Sequence, residues 1–181
     1  MSTEQKQIHL ITFDLEKEIA HGIQVSNLAY KIGKQMGFSE EICHELAIAG
    51  ILHDIGKLKL LEYIAGDESP LVVEEIKYVR KHPQLGYESL KDRGYSPFIL
   101  ESIYYHHENY DGSGYPENLR GDEIPEGARI LRVCDVFAAL IAKRSYRDAF
   151  SKKTAVKMMI DEVKNFDIKV FLAFQRVIHE S

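Results

Sequence analysis

The sequence contains little cysteine and no long apolar stretch, and both shortages restrict what the protein can be. Its 181 residues include only two cysteines, Cys43 and Cys134, which lie far apart in the chain. No N-terminal apolar run has the length of a signal peptide or of a membrane-spanning helix. We therefore expect a protein of the reducing cytoplasm without membrane insertion, in which Cys134 packs as a small apolar residue.

Excess positive charge is also missing. The formal net charge of −5 argues against a protein that coats nucleic acid or an anionic membrane, so a phosphate ligand must be captured locally. A chain of 181 residues with 45% hydrophobic content is long enough for one core and too short for two or more large domains. We predict a single domain over 1–181, with the polar residues 1–7 frayed.

Strand patterns are absent as well, because no segment alternates apolar and polar residues between turn signals, and there is no internal repeat. Apolar residues instead recur at helical spacing, and Ser-Pro pairs and an N-cap serine mark helix starts. The predicted helices run from Leu15 to Met36, from Ser39 to Leu52, from Ser69 towards Lys81, from Ser96 to His106, and over 130–141, 155–163 and 168–178. The sequence therefore predicts an all-α fold.

Ligand-type side chains stand inside or at the ends of these apolar helices. His53 and Asp54 end the apolar run LAIAGIL, and Asp135 interrupts the apolar run of a later helix. A buried carboxylate is costly unless a cation or several donors compensate it, and a divalent metal gives the strongest compensation. The adjacent imidazoles of His106 and His107 also suit a metal.

The candidate ligand set comprises five imidazoles and two carboxylates on five predicted helices: His21, His53, Asp54, His82, His106, His107 and Asp135. Seven nitrogen and oxygen ligands exceed what one tetrahedral zinc takes and match two octahedral metals that share a carboxylate. The lack of a thiolate favours iron or manganese over structural zinc. Taken alone, His21 is better explained as a core histidine, and an adjacent histidine pair as a surface pair.

These residues lie in stretches that resemble the HD-GYP family, a branch of the HD phosphohydrolase superfamily. The matching stretches are LHDIGK at 52–57, KHP at 81–83, HHENYDGSGYP at 106–116, ARILRVCDVFAAL at 128–140 and RSYR at 144–147. The resemblance spans about residues 15–172. It implies an all-α HD-domain bundle with a binuclear metal centre in its core. It also implies hydrolysis of cyclic di-GMP, a bacterial second messenger, by a hydroxide that bridges the metals.

The resemblance further implies a role for each site residue. One metal would be held by four residues, namely His21, His53, Asp54 and Asp135, and the other by His82, His106 and His107, with Asp54 as the bridge. Lys57 would contact a substrate phosphate or orient the attacking hydroxide. Tyr115 would line the pocket, and Arg144 and Arg147 would hold phosphate and guanine.

Several positions depart from the family pattern. Some members carry a glutamate where this chain has Lys17, and that glutamate completes a third metal site. We predict a binuclear centre, with a third metal at Glu18 as the alternative, because Glu18 stands three residues before His21. The other departures are Leu61, the loop Asp67-Glu68-Ser69, Ala139 and Ser145. We expect these departures to affect the identity of the substrate and the rate of hydrolysis more than the binding of metal.

Three functions follow as hypotheses from this pattern. The first is a cyclic di-GMP phosphodiesterase, and the second is a phosphohydrolase of the same fold that acts on another cyclic dinucleotide or nucleotide. The third is a sensor module that binds a cyclic dinucleotide or a protein partner without turnover. Family members are commonly fused to receiver or sensory domains, so we also expect a regulatory protein partner or a homodimer.

Overall fold

A computed structural model describes residues 14–59, 79–143 and 148–179. Within these ranges no residue is in a strand, and seven α-helices lie with both ends described. They are α1 (Leu15–Gln35), α2 (Glu40–Leu52), α3 (His82–Leu90), α4 (Pro97–Tyr105), α5 (Glu126–Ile141), α6 (Lys152–Asp161) and α7 (Ile168–His179), with 3-10 turns at Gly121–Glu123 and Val163–Asn165. The predicted all-α class is confirmed. The helix predicted between Ser69 and Lys81 falls largely outside the described residues.

Capping residues set where the helices begin. The Ser39 hydroxyl accepts a hydrogen bond from the Ile42 amide at the start of α2, and the Ser96 hydroxyl accepts one from the Ile99 amide at the start of α4. Each such cap stabilises its helix by about 1 kcal/mol. Both helices then end at a histidine, because His53 is the C-cap of α2 and His106 that of α4. The sequence thus places the imidazoles of these two residues at helix ends.

The core lies between α1, α2, α4, α5 and α7. Residues such as Val25, Ala29 and Leu46 are fully buried where α1 packs along α2, and α5 contributes an apolar face that includes Ile130 and Val133. Both cysteines are buried free thiols within this part of the molecule. None of the described helices has the length and apolarity that a bilayer crossing requires.

Gly56 permits the close approach that places the start of α3 against the turn after α2. A Cβ atom at this position would fall onto the carbonyl oxygen of His82 and the amide nitrogen of Gly86. Both obstructing atoms belong to the backbone, so they cannot rotate away as a side chain could. Glycine at 56 therefore brings His82 beside Asp54.

The segment between α4 and α5 folds back over the histidine pair. The Tyr115 amide donates to the His107 carbonyl oxygen at 3.2 Å, and the Asn118 amide group donates to the Gly114 carbonyl oxygen. Gly114 lies so close to the backbone of residues 107–109 that no Cβ would fit there. Buried Glu108 closes the loop, since its carboxylate accepts a hydrogen bond from the backbone amide nitrogen of Glu117 at 2.6 Å.

Candidate metal centre

The carboxylate of Asp54 lies at the centre of the predicted ligand set. Its Oδ2 atom is 3.2 Å from His53 Nε2 and 3.9 Å from His21 Nε2. Its Oδ1 atom is 3.1 Å from His82 Nε2. The two oxygens of one carboxylate therefore face two different sets of imidazoles.

The first set, which we call the carboxylate-rich group, consists of His21, His53, Asp54 and Asp135. Donor atoms of His21, His53 and Asp54 all lie within 4.8 Å of one another. Asp135 Oδ1 completes the group, 3.0 Å from His21 Nε2 and 3.9 Å from His53 Nε2. The group has the donors for one divalent ion, with two carboxylates to balance its charge.

The second set, the imidazole-rich group, consists of Asp54, His82, His106 and His107. Its donor atoms also lie within 4.8 Å of one another. His82 Nε2 is 3.2 Å from His106 Nε2 and 3.2 Å from His107 Nε2. The structure thus brings all seven predicted ligands together in two groups that share Asp54.

Backbone carbonyls fix the protonation of three of these rings. The Nδ1 atoms of His53, His82 and His106 lie 2.7, 2.6 and 2.7 Å from carbonyl oxygens of the residue three positions earlier. A carbonyl oxygen only accepts, so each Nδ1 carries a proton and donates it. In the neutral ring, Nε2 is then an unprotonated lone-pair donor. When the rings are neutral, which is the form that binds metal, all three lone pairs face the cluster.

In this arrangement, ring nitrogen atoms of the site lack the partner that a bound cation would supply. His82 and His106 point their Nε2 lone pairs at each other, and two acceptors form no hydrogen bond. The buried Nε2 atom of His53 has no hydrogen-bond partner among the described residues. Buried polar atoms in native proteins are normally paired. The residues present therefore fit divalent metal ions, which would take up these lone pairs.

The carboxylate-rich group favours charged side chains. Burial alone would lower the pKa of His53, but Asp54 and Asp135 outweigh it and raise the pKa to about 9. Burial would raise the pKa of Asp54, yet His53, His82 and Lys57 hold it well below its usual range. The pKa of Asp135 is likewise lowered against the effect of burial, chiefly by the hydrogen bond with His21. Both carboxylates are therefore ionised.

The imidazole-rich group favours neutral rings. Burial, with like charge on the neighbouring histidines, keeps the pKa of His106 well below its ordinary value. Burial also lowers the pKa of His107 to about 3 and outweighs the attraction of Asp135. Neutral imidazole is the form that binds metal. These two rings are thus in the ligand state at neutral pH.

Lys57, three residues further along the chain, contacts Asp54. Its Nζ atom lies 2.6 Å from Asp54 Oδ2 and 3.1 Å from Glu18 Oε2. Burial lowers the pKa of Lys57, but these two carboxylates raise it to about 12 overall. Glu18, the alternative third-metal ligand, thus pairs with Lys57, and Lys17 pairs with Asp14 at 2.7 Å.

Tyr115 lies against the imidazole-rich group. Its ring stacks on that of His107, with centroids 4.7 Å apart and planes inclined by 22°. Burial raises the pKa of its hydroxyl to about 12, so the phenol stays protonated. Arg144 and Arg147, the other predicted substrate-binding residues, lie outside the described residues.

Two arginines near Tyr115 were not predicted from the sequence. The Arg80 guanidinium carbon lies 5.2 Å from the Tyr115 ring centroid. Arg132 Nε donates to Asn109 Oδ1 at 2.9 Å. Helical spacing could have revealed Arg132, which stands three residues before Asp135 on α5. No local pattern indicates a site role for Arg80, which lies near the end of the helix predicted from Ser69 towards Lys81.

Comparison with known proteins supports the fold and the family. The profile of the HD domain family matches residues 5–170. The chain belongs to the HD domain family. The resemblance read from its motifs is thereby confirmed, and this HD domain chain also has similar proteins of curated function.

One such relative is the cyclic di-GMP phosphodiesterase PA4108 of Pseudomonas aeruginosa, 33% identical over 172 residues, which cover 94% of this chain and 41% of that protein. The cyclic di-GMP phosphodiesterase response regulator RpfG of Xanthomonas campestris is 37% identical over 74% of this chain and 36% of its own length. The 3′3′-cGAMP-specific phosphodiesterase 2 of Vibrio cholerae is 33% identical over 83% of this chain and 30% of its own. The HD domain chain thus spans less than half of each relative, and its extent as a single domain stays a prediction.

Solved structures share the architecture. Bd1817, described as an HDG"Y"P protein from Bdellovibrio bacteriovorus, superimposes with a TM-score of 0.70 at 22% identity, over 90% of this chain and 52% of its own. The HD domain of PgpH from L. monocytogenes, solved in complex with cyclic-di-AMP, gives a TM-score of 0.58 at 16% identity, over 91% of this chain and 90% of its own. These identities establish the HD-domain fold alone.

Proposed function

We propose that this chain hydrolyses a 3′–5′ phosphodiester bond of a cyclic dinucleotide at a centre of two divalent metal ions. Cyclic di-GMP is the proposed substrate, and iron or manganese are the proposed metals. One observation carries the proposal: each oxygen of Asp54 faces a separate group of histidines. A carboxylate so placed suits a bridge between two ions, and the named activity of the relatives supports the substrate class.

The chemistry divides between the ions and the chain. Two bound divalent ions would lower the pKa of a shared water and neutralise the charge of a phosphodiester. Asp54 would hold the ions at a fixed separation, and the carbonyl-anchored imidazoles would keep their lone pairs aimed at them. Lys57, held by Glu18 and Asp54, would offer its ammonium to a phosphate oxygen.

The remaining parts of the proposal concern substrate and partners. Tyr115 would form a wall of the pocket, and Arg144 and Arg147 would bind phosphate and guanine. A second candidate substrate is 3′3′-cGAMP, which the similarity to the Vibrio cholerae enzyme favours. The relatives extend well beyond the matched region, so we also propose a regulatory partner or a homodimer for this domain.

Replacement of Asp54 by alanine tests the shared bridge. We expect Asp54→Ala to lower the metal content of anaerobically purified protein from about two ions per chain to nearly none. Release of linear dinucleotide or GMP from cyclic di-GMP should fall by at least about a thousandfold, because several kcal/mol of charge stabilisation are removed. Metal analysis and a product assay with manganese or ferrous iron measure both.

Asp92→Ala is the matched control, since Asp92 lies exposed in the turn after α3. It should keep both metal content and turnover. Full turnover by Asp54→Ala would refute the assignment of the site. Binding of cyclic di-GMP to the metal-loaded wild type without any product would instead favour the sensor hypothesis.

A further inference from the structure

The two arginines beside Tyr115 have no role in the metal centre. Arg80 lies over the Tyr115 ring, and Tyr115 in turn stacks on the candidate ligand His107. Arg132 stands one helical turn before Asp135 on α5, and its positive charge contributes to the lowered pKa of His107. It also acts on Tyr115, as does that of Arg80. Two guanidinium groups thus border the same edge of the site.

A comparison along α5 shows that Arg132 and Arg129 differ in their ion pairs with described residues. Arg129, one turn earlier, bonds Asp122 at 2.9 Å and Asp167 at 2.6 Å. Among the residues that the structure describes, no carboxylate lies within ion-pairing distance of Arg132 or Arg80. Within the described ranges, neither charge is therefore paired with a carboxylate.

Arg132 is nevertheless held in place. Its Nε atom donates to the Asn109 side-chain oxygen, and the Asn109 amide group donates to the Ser113 hydroxyl at 3.0 Å. No described residue accepts a hydrogen bond from its two Nη groups. The planar guanidinium is suited to bind phosphate through two parallel N–H groups. Arg132 is thus oriented through one nitrogen, with two others left for a ligand.

We propose that Arg80 and Arg132 form an anion subsite beside Tyr115 that binds the second phosphodiester of a cyclic dinucleotide, the one that is not cleaved. The inference rests on the proposed function. In the proposed function, two metal ions and Lys57 would neutralise the phosphate that is cleaved. Arg80 and Arg132 would neutralise the second one, in addition to Arg144 and Arg147, to which phosphate and guanine binding is also assigned. They also explain how a chain with a net charge of −5 attracts a doubly charged substrate.

The test compares a substrate that has two phosphodiesters with one that has a single phosphodiester. We expect Arg132→Gln to raise the KM for cyclic di-GMP about tenfold or more, since a charge-assisted hydrogen bond is lost. The variant should leave kcat/KM for bis(p-nitrophenyl) phosphate unchanged, because that ester has no second phosphate. Arg80→Gln, at an exposed position, should act in the same direction.

Cyclic di-AMP separates phosphate binding from base recognition. Arginine also recognises guanine through O6 and N7, which adenine does not offer as a pair of acceptors. A phosphate subsite predicts the same fold loss with cyclic di-GMP and cyclic di-AMP. A loss confined to cyclic di-GMP would overturn the phosphate assignment.

Matched variants exclude loss of structure as the explanation. Arg93→Gln removes one exposed positive charge in the turn after α3 and should change neither substrate. Arg132→Lys keeps the charge but not the Nε bond to Asn109, so it should retain affinity better than Arg132→Gln. Equal losses in both would show that the positive charge at position 132 does not contribute to binding and would count against an anion subsite. Metal content should stay at the wild-type level in every variant.

Failure of this inference can be told apart from failure of the proposed function. If the wild type turns over cyclic di-GMP and both glutamine variants keep its KM, the subsite is wrong and the activity stands. If the wild type binds without turnover, equilibrium titration replaces KM. A Kd weakened about tenfold in the variants then supports the subsite alone. A wild type that neither cleaves nor binds cyclic di-GMP overturns both.

Discussion

The two donor groups share Asp54, yet they shift the pKa values of His53 and His107 in opposite directions. In the carboxylate-rich group the pKa of His53 is raised to about 9, whereas in the imidazole-rich group that of His107 is lowered to about 3. Burial lowers the pKa of both rings. The difference comes from what opposes burial: at His53 the neighbouring carboxylates of Asp54 and Asp135 outweigh it, whereas at His107 burial outweighs the attraction of Asp135.

The comparison shows how each group would hold its ion. Two ionised carboxylates give the carboxylate-rich group a net negative charge, which attracts any divalent cation electrostatically. The imidazole-rich group has three rings and one carboxylate oxygen, so it relies on lone-pair donation and suits a transition metal. The groups are therefore chemically different sites and should be separable by mutation.

Removal of one histidine from each group tests this separation and has the largest expected effect. We expect His106→Ala to lower the metal content from about two ions per chain to about one, and His21→Ala to do the same for the other group. Either change should lower phosphodiesterase activity about 100-fold or more, since in the proposed mechanism both ions would stabilise the transition state. Metal analysis with the product assay measures the effect.

The double variant His21→Ala/His106→Ala gives the lower limit for this comparison, because its metal content should be near zero. Complete loss of metal in either single variant would show one cooperative site and would end the distinction between the groups.

A methyl group at Gly56 should damage the imidazole-rich group selectively. Gly56→Ala would push a Cβ onto the His82 carbonyl oxygen, so we expect a loss of about 2–3 kcal/mol in the free energy of unfolding. The metal ion on the side of His82 should be lost first. Urea denaturation and metal analysis measure the two effects.

Gly86→Ala is the control from the opposite side of the same contact. Its Cβ would find only ordinary contacts, with the nearest atom, Ile103 Cγ2, at 3.4 Å, and the position is helical. Alanine should therefore be tolerated there. Equal destabilisation by both variants would show that the approach of α3 does not depend on the space at Gly56.

The opposite pKa shifts predict that the unfolding free energy of the metal-free protein passes through a maximum as the pH changes. This effect is smaller than those of the substitutions above. His53 has a raised folded-state pKa, so its contribution is complete below about pH 6.5 and is lost as the pH rises towards 9. His107 has a lowered folded-state pKa, so the unfolded chain binds its proton more readily and stability falls as the pH drops from about 6.5 towards 3. Unfolding free energies from urea titrations between about pH 4 and 9.5 should therefore peak near neutrality.

Single substitutions show which histidine causes the decline in stability on each side of this pH profile. His53→Gln should flatten the decline on the alkaline side, and His107→Gln should flatten the decline on the acid side. A profile in which His53→Gln changes only the acid side would contradict the charge states on which the comparison rests.

Much of the fold and ligand set could be predicted from the sequence, because both depend on local patterns. Helical periodicity and the N-caps Ser39 and Ser96 located α2 and α4 to within a few residues. The helix α3 was not predicted, although proline is tolerated in the first turn, where Pro83 lies. The helix predicted from Ile130 begins earlier, at Glu126, because Pro125 at its N-cap position marks the start. Acidic residues within apolar runs, such as Asp54 and Asp135, stood out because burial of a carboxylate needs compensation.

Contacts between distant segments could not be predicted in the same way. The bond between Lys57 and Glu18 joins residues 39 positions apart, and Arg80 meets Tyr115 only because the loop after His107 folds back. Such contacts depend on tertiary packing, for which the sequence carries no periodic signal. The predictions for Leu61, Asp67-Glu68-Ser69, Arg144, Ser145 and Arg147 concern residues outside the described ranges.

The carbonyl-anchored histidines have a consequence for how the protein acquires its ions. His53 and His106 cap their helices and donate to carbonyl oxygens of the last turn, groups that a helix end otherwise leaves to solvent. The rings are therefore aligned by the same bonds that finish the helices. Because the chain's own hydrogen bonds orient these ligands, we expect a chelator to remove the metal ions without unfolding the protein. Metal binding should then be reversible.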